Sequence, residues 1–250
     1  WEMEKKVVVV GTGYVGLPAA LMWAKAGKKV VGVDINENVV RAINERTMLI
    51  NEQELHALLH DPLVQQNLSA RSAPCEGDVF VIAVPTPVDD LKKVCDMGPV
   101  QAAVESICPY LRRGNLVIIE STVPPATCRR FVKPLIEKLT GLSVPQEVKL
   151  AHCPERILPG DIFREIVEND RLIGGMDEES TRSAAEVYQS FVTGTLHLTD
   201  DVTAELSKLM ENTYRDVNIA LANELADICG LLGVDGKAAI ALANKHPRVK

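Results

Sequence analysis

Apolar residues in the first 200 positions gather into short unbroken runs separated by helix-length stretches, and beyond residue 200 they recur at three and four. Lys5-Lys6-Val7-Val8-Val9-Val10 is a β-branched run that stops at Gly11; a run without alternation predicts a strand buried on both faces. An Ala- and Leu-rich helical stretch follows as far as Gly27, then a second strand, Lys29–Val33, ending at Asp34. Together these make one βαβ unit of about 30 residues, the length such a unit needs. Further strands are predicted at Asp78–Val84, Asn115–Glu120 and Glu147–His152, with shorter ones at Arg171–Ile173 and Thr195–Leu198. Helices are predicted at Asn36–Glu45, Asn51–Leu59, Pro99–Leu111, Ala126–Leu139 and Glu178–Phe191, while Asp61–Pro74 reads as loop or short helix. This alternation predicts an α/β fold, a Rossmann-like doubly wound, mostly parallel sheet with right-handed crossovers.

From Asp200 to Leu232 there is no proline, and no glycine before Gly230. Val202, Leu206, Leu209, Met210, Val217, Leu221, Leu225 and Ile228 repeat at helical spacing. A helix of about 30 residues is expected, long for a globular protein, and such a helix bridges domains or builds a homodimer core. A short helix follows Gly233. The reading is a Rossmann-like domain over residues 1–199 and a long-helix connecting and dimerisation domain over 200–250.

With 46% hydrophobic residues the 250-residue chain can bury a substantial core. Lys and Arg number 27 against 34 Asp and Glu, a formal charge of −7, which speaks against nucleic acid or an anionic membrane as the main partner. No apolar run approaches the roughly 20 residues that span a bilayer, and the first residues carry no secretory leader pattern. A cytoplasmic protein starting naturally at Met3 is expected. The six cysteines (Cys75, Cys95, Cys108, Cys128, Cys153, Cys229) form no C-x-x-C pair and have no His at metal spacing, so reduced, mostly buried thiols and no metal site are expected.

Gly11-Thr12-Gly13-Tyr14-Val15-Gly16 follows a buried strand and opens a helix, with Asp34 ending the next strand 18 residues after Gly16. That is the full context of a dinucleotide fingerprint. Gly11 permits the tight turn, Gly13 lets a pyrophosphate approach the backbone, and Gly16 permits close packing. Asp34 would accept from ribose hydroxyls and repel a 2′-phosphate, which favours NAD over NADP. Val84-Pro85-Thr86-Pro87 and Glu120-Ser121-Thr122-Val123-Pro124 lie at strand ends, where open α/β sheets bind ligands; as turn residues their threonines have an equally good structural reading. Glu155, in Cys153-Pro154-Glu155-Arg156, is either an acid–base group beside a substrate-holding Arg156 or half of a surface ion pair. Lys208, Asn212 and Arg215 share one helix face, with Glu205 and Asn223 near the same stripe. That face is either solvated or an oxyanion-stabilising lysine beside an amide donor, with the NAD domain facing them.

Taken together, the chain resembles the UDP-glucose/GDP-mannose dehydrogenase family over essentially its whole length. The resemblance rests on Gly11-Thr12-Gly13-Tyr14-Val15-Gly16-Leu17-Pro18, Val84-Pro85-Thr86-Pro87, Glu120-Ser121-Thr122 and Lys208-x3-Asn212. Within the family, Cys153-Pro154-Glu155-Arg156-Ile157-Leu158-Pro159-Gly160, Glu211–Ala220 and His246-Pro247-Arg248-Val249 are most similar to the UDP-N-acetyl-D-mannosamine dehydrogenases. The UDP-N-acetylglucosamine dehydrogenases share the Pro-Glu-Arg core and are the nearest rival.

The resemblance implies a four-electron oxidation of a UDP-sugar at C6, alcohol to aldehyde to carboxylate, reducing two NAD and passing through a cysteine thiohemiacetal and thioester. By motif, Tyr14, Val15, Asp34, Thr86 and Thr122 would contact NAD; Arg156, Ile157, Lys208, Asn212, Arg215, His246 and Arg248 would contact the UDP-sugar. Lys208 would stabilise the oxyanion with Asn212 beside it, and Glu155 would assist hydrolysis. The family's nucleophilic cysteine follows the His-Pro-Arg motif in a Gly-Gly-x-Cys segment that this sequence does not contain, nor does it contain the second, UDP-binding domain. The chain alone is therefore expected to be inactive. Two further readings stand beside this one: a non-catalytic NAD-binding dimerisation module, and a two-electron β-hydroxyacid dehydrogenase, against which Pro-Glu-Arg and His-Pro-Arg speak.

Overall fold

A computed structural model describes residues 5–47, 53–89, 91, 93–157 and 162–247. In chain order these form β1 (Val7–Val10), α1 (Gly16–Lys25), β2 (Val30–Val33), α2 (Glu37–Asn44), α3 (Gln53–Leu59), α4 (Pro62–Asn67), β3 (Leu68–Arg71) and β4 (Val79–Ile82). There follow β5 (Val88–Asp89), β6 (Val94–Cys95), α5 (Gly98–Ile107), β7 (Leu116–Ile119), a π-helical turn at Cys128–Val132, α6 (Lys133–Thr140) and β8 (Lys149–His152). The last elements are α7 (Ile162–Glu168), β9 (Arg171–Gly175), α8 (Glu178–Tyr188), β10 (Leu196–Asp200), α9 (Asp201–Leu232) and α10 (Gly236–Ala243).

Eight strands form one sheet in the order β10-β9-β8-β7-β4-β1-β2-β3. Every pairing is parallel except β8 with β9. The unbroken apolar runs are the central strands, and their period of two divides them between two cores. Val7, Val9, Val79, Val81, Leu116 and Ile118 pack on one side; Val8, Val10, Phe80, Ile82, Val117 and Ile119 pack on the other. Helix α1 is buried along nearly its whole length, as a helix apolar on all sides must be. Its Trp23 packs on Tyr188 and Phe191 and donates from Nε1 to the Val187 carbonyl at 3.1 Å.

Three features depart from the pattern-based expectation. Asp61–Pro74, read as loop or short helix, contains the short helix α4 and, beyond that reading, the edge strand β3. Strand β3 buries only Leu68 and Ala70, and Asn44 stitches it in place by accepting from Ala70 N–H and donating to Ala70 C=O; neither half of that pairing shows in local periodicity. Helix α7 and the two-residue hairpin β5–β6 are likewise too short for a hydrophobic period to reveal them.

The chain divides into two compact units, Trp1–Leu206 and Ser207–Lys250. The first unit contains the sheet and the opening of α9, whose buried residues are Asp201, Ala204 and Glu205. In the second unit α9 continues and α10 follows, with Met210, Val217, Leu221, Leu225 and Ile228 between 41% and 62% exposed.

Candidate functional site

The chain leaves β1 for β2 and β3 on one side and for β4 and β7 on the other, so the strand order reverses between β1 and β4. Open α/β sheets bind ligands outside the carboxyl ends at such a switch point. The glycine turn sits there. Gly11 has φ +92°, and a Cβ on it would lie 2.5 Å from the Ala83 carbonyl at the end of β4. A Cβ on Gly16 would lie 1.9 Å from Gly11 C=O, whereas one on Gly13 meets nothing within 4 Å. The turn is thus closed behind Gly11 and Gly16 and open in front of Gly13. Tyr14 is exposed and Val15 half-buried. The first turn of α1 holds no acidic residue, which leaves its N–H groups and dipole favourable to an anion.

Asp34 ties β2 to this turn. Its Oδ2 accepts from both the N–H and the hydroxyl of Thr12, each at 3.0 Å, while Oδ1 accepts from Asn36 N–H at 2.9 Å. Beside it Ile35 is 97% exposed, an apolar side chain where an adenine ring could lie; the sequence reading passed over it, although an apolar residue directly after the strand-ending acid is a visible signal.

At the carboxyl ends of β4 and β7, Thr86 donates its hydroxyl to Thr122 C=O at 2.7 Å and Ser121 donates to Val84 C=O at 2.7 Å. The two proline-bearing loops are therefore locked together. The third loop, after β8, is set by Glu155. One Glu155 oxygen accepts from Arg156 N–H and Ile157 N–H at 2.7 and 3.1 Å; the other accepts from Arg171 at 2.7 Å. Glu155 and Arg171 are both buried, so this is an interior ion pair and not a surface one. Arg156, half-buried, donates to Asp170 C=O at 3.0 Å.

Arg171 also faces Glu120 at 3.4 Å and lies 4.6 Å over the Tyr188 ring, and the Tyr188 hydroxyl donates to Glu120 at 2.6 Å. Burial pushes the Glu120 carboxyl up to about 7, with Arg171 opposing, Glu155 adding to the rise and the Tyr188 hydrogen bond opposing. The other Glu120 oxygen is buried with no hydrogen-bond partner among the described residues. None of Arg171, Tyr188 or the buried role of Glu120 was singled out from sequence, since their link runs across 68 residues. Cys153 is wholly buried and burial pushes its thiol far up, which makes it a poor nucleophile.

In the second unit Lys208 and Asn212 are half-buried one turn apart on α9, and Arg215 donates to the Asn212 side-chain carbonyl at 3.0 Å. His246 is exposed after α10, and Arg248 lies outside the described residues. No described helix is long and apolar enough to cross a membrane.

Models of two domains match this chain: the UDP-glucose/GDP-mannose dehydrogenase family NAD binding domain over residues 5–192, and the family's central domain over 202–250. A UDP-N-acetyl-D-mannosamine dehydrogenase of Methanocaldococcus jannaschii is 51% identical over 247 residues, 98% of this chain and 56% of that protein. An NDP-N-acetyl-D-galactosaminuronic acid dehydrogenase of Ralstonia nicotianae is 44% identical across 98% of this chain and 59% of its own length. Among solved structures, the UDP-N-acetyl-mannosamine dehydrogenase Cap5O from Staphylococcus aureus superposes with a TM-score of 0.91 at 48% identity, covering 98% of this chain and 60% of that one. The chain thus spans little more than half the length of the curated relatives it matches.

Proposed function

The chain belongs to the UDP-glucose/GDP-mannose dehydrogenase family and carries its NAD-binding domain, and from this we propose that it is the NAD-binding and central-helix part of a UDP-N-acetyl-D-mannosamine 6-dehydrogenase. The observation that carries the reading is the glycine turn held on Asp34 at the β1–β4 switch point. NAD fits the residues there: the open face of Gly13 admits a pyrophosphate against backbone, the α1 N-terminus supplies donors, and Asp34 opposes a 2′-phosphate. Held there, NAD would supply the hydride-acceptor chemistry of an alcohol oxidation.

The chain's own residues take the remaining roles in this reading. Gly11, Gly13, Tyr14, Val15, Gly16, Asp34, Thr86 and Thr122 hold the cofactor. By their motifs Arg156, Ile157, Arg215, His246 and Arg248 are assigned to the nucleotide-sugar, a dianionic diphosphate that suits guanidinium groups. Lys208 supplies the cation that stabilises the alkoxide as hydride leaves, and Asn212 a neighbouring donor. Glu155 assists the hydrolytic step, and the hydrogen bonds that fix its carboxylate set the 156–157 backbone. Cys153 is given no nucleophilic role. The exposed apolar residues of α9 form a homodimer face.

The relatives' names, one for an N-acetyl-D-mannosamine and one for an N-acetyl-D-galactosaminuronic acid, share an N-acetylhexosamine skeleton, which supports the sugar class; UDP-N-acetylglucosamine is the second substrate to test. Calorimetric titration checks the reading. NAD+ is expected to bind this chain at least tenfold tighter than NADP+, and UDP-N-acetyl-D-mannosamine to bind the full-length protein at saturating NAD+ and to lose affinity there in Lys208→Ala. No dinucleotide binding, or equal affinity for UDP-glucose, would overturn it; NAD+ binding with no UDP-sugar binding would favour a non-catalytic module.

A further inference from the structure

Outside the residues given to NAD and substrate, three side chains with metal-ligating atoms converge from separate elements. Cys128 comes from the π-helical turn, His152 from the end of β8 and Glu205 from the buried opening of α9. All three are buried, and one donor atom of each lies within 4.8 Å of the other two. They stand 24 and 53 residues apart in sequence, so no ligand-spacing motif betrays them. We propose that Cys128, His152 and Glu205 form a binding site for a divalent cation of the zinc class, with water in the fourth position.

The donor set is the first argument. Thiolate, imidazole and carboxylate are the three side-chain ligands zinc takes in proteins. Charge is the second. Cys128 and Glu205 are both wholly buried, and a divalent cation that binds the thiol displaces its proton to solvent as the metal–sulfur bond forms. Thiolate and carboxylate then balance the ion, and the buried cluster is neutral, which a low-dielectric interior favours.

Orientation is the third. Glu205 accepts from Ala126 N–H at 2.5 Å through one oxygen and from Cys128 N–H at 2.9 Å through the other, and it also accepts from the Cys128 thiol, a bond that a cation between sulfur and carboxylate would replace. Metal-binding carboxylates are commonly held by such outer hydrogen bonds. Asp201, one turn earlier, is already occupied by a two-pronged bond from Arg129. Zinc bond lengths place donors about 3.3–3.8 Å apart, so donors within 4.8 Å of one another need close by no more than about 1.5 Å.

Cobalt titration of the chelator-stripped, reduced protein tests the site. One ion per chain is expected, with the visible bands of tetrahedral cobalt and an ultraviolet thiolate-to-cobalt charge-transfer band, both displaced by equimolar zinc. Cys128→Ser should abolish the charge-transfer band, and Cys95→Ser and Cys229→Ser should retain it. No uptake at millimolar cobalt overturns the proposal, as does a band that survives in Cys128→Ser. So does uptake without a sulfur band, which would point to the exposed His56–His60 pair, whose rings lie 4.4 Å apart. Should Cys128→Ser fail to fold, X-ray absorption of the unmutated protein with one equivalent of zinc decides: one sulfur ligand with nitrogen or oxygen completing the shell is expected, and a shell without sulfur overturns the site.

Discussion

Arg171 donates to Glu155 at 2.7 Å with both side chains buried in the sheet's carboxyl-edge region. Arg171 faces both buried carboxyls, Glu120 and Glu155. Removing one member of a buried pair leaves an uncompensated charge, at a cost of about 3–5 kcal/mol. Arg171→Met should therefore lower unfolding free energy by that amount in urea titrations, and adding Glu155→Gln should recover part of the loss. Additive effects of the two changes would mean the pair is not coupled.

Glu120 gives the fold a signed pH dependence. Its carboxyl is pushed up to about 7 in the fold, chiefly by burial, against an ordinary value of 4.5. The folded state therefore holds a proton that the unfolded chain has already released between those values. This contribution is fully present below pH 4.5 and is lost as pH rises through 7. Glu120→Gln, which keeps a carbonyl for the Tyr188 hydroxyl, should flatten the stability profile across that window. An unchanged slope would exclude Glu120 as its source.

The same residues show how far the chain's pattern reaches. The valine runs of β1 and β2 and the run of β4 announce strands buried on both faces, because continuous apolarity has a single cause in a parallel sheet. The glycine spacing and Asp34 are legible because turn, helix start and strand end follow one another within 24 residues. Strand β3 depends on Asn44 reaching across from α2, and the Arg171 network joins β7, β9, α8 and the loop after β8. Such long-range satisfaction of polar groups has no period to detect. Arg171, a charge heading an otherwise apolar strand, was the one local sign of it.

Asp34 serves both the turn and, in the proposed function, the ribose. Hydrogen bonds to a charged acceptor are worth about 1.5–3 kcal/mol each. Asp34→Ala should weaken NAD+ binding at least tenfold, since it also frees Thr12. Asp34→Asn keeps an acceptor but removes the negative charge, so the preference for NAD+ over NADP+ should narrow. Parallel titrations with both dinucleotides measure this; an unaltered ratio would mean that the Asp34 charge does not set cofactor choice.

Ile35 is 97% exposed next to that carboxylate. If an adenine ring covers it, Ile35→Ser removes apolar contact worth up to about 1.5 kcal/mol, half of a full isoleucine burial. NAD+ affinity should fall severalfold while stability without NAD+ is unchanged, because the side chain touches little of the fold. Equal NAD+ affinity in the two proteins would place the base elsewhere.

Gly13 and Gly16 separate what the turn needs for folding from what it needs for a ligand. At Gly16 an added Cβ would meet Gly11 C=O at 1.9 Å and the Ala83 Cβ at 3.1 Å. Backbone cannot yield that far without opening the turn, so Gly16→Ala should destabilise the fold and take NAD+ binding with it. At Gly13 the same methyl meets nothing within 4 Å, and φ there does not fall in the left-handed range. Gly13→Ala should therefore unfold at the unmutated midpoint, or slightly above it through the reduced entropy of the unfolded chain, about 0.4–1 kcal/mol. Its defect should appear only with the cofactor, as a methyl standing where the pyrophosphate approaches backbone. Thermal unfolding with and without NAD+ reads both effects at once: Gly16→Ala should lose stability in either condition, and Gly13→Ala should lose only the shift that NAD+ confers on the unmutated chain. A full NAD+ shift in Gly13→Ala would move the dinucleotide away from this turn.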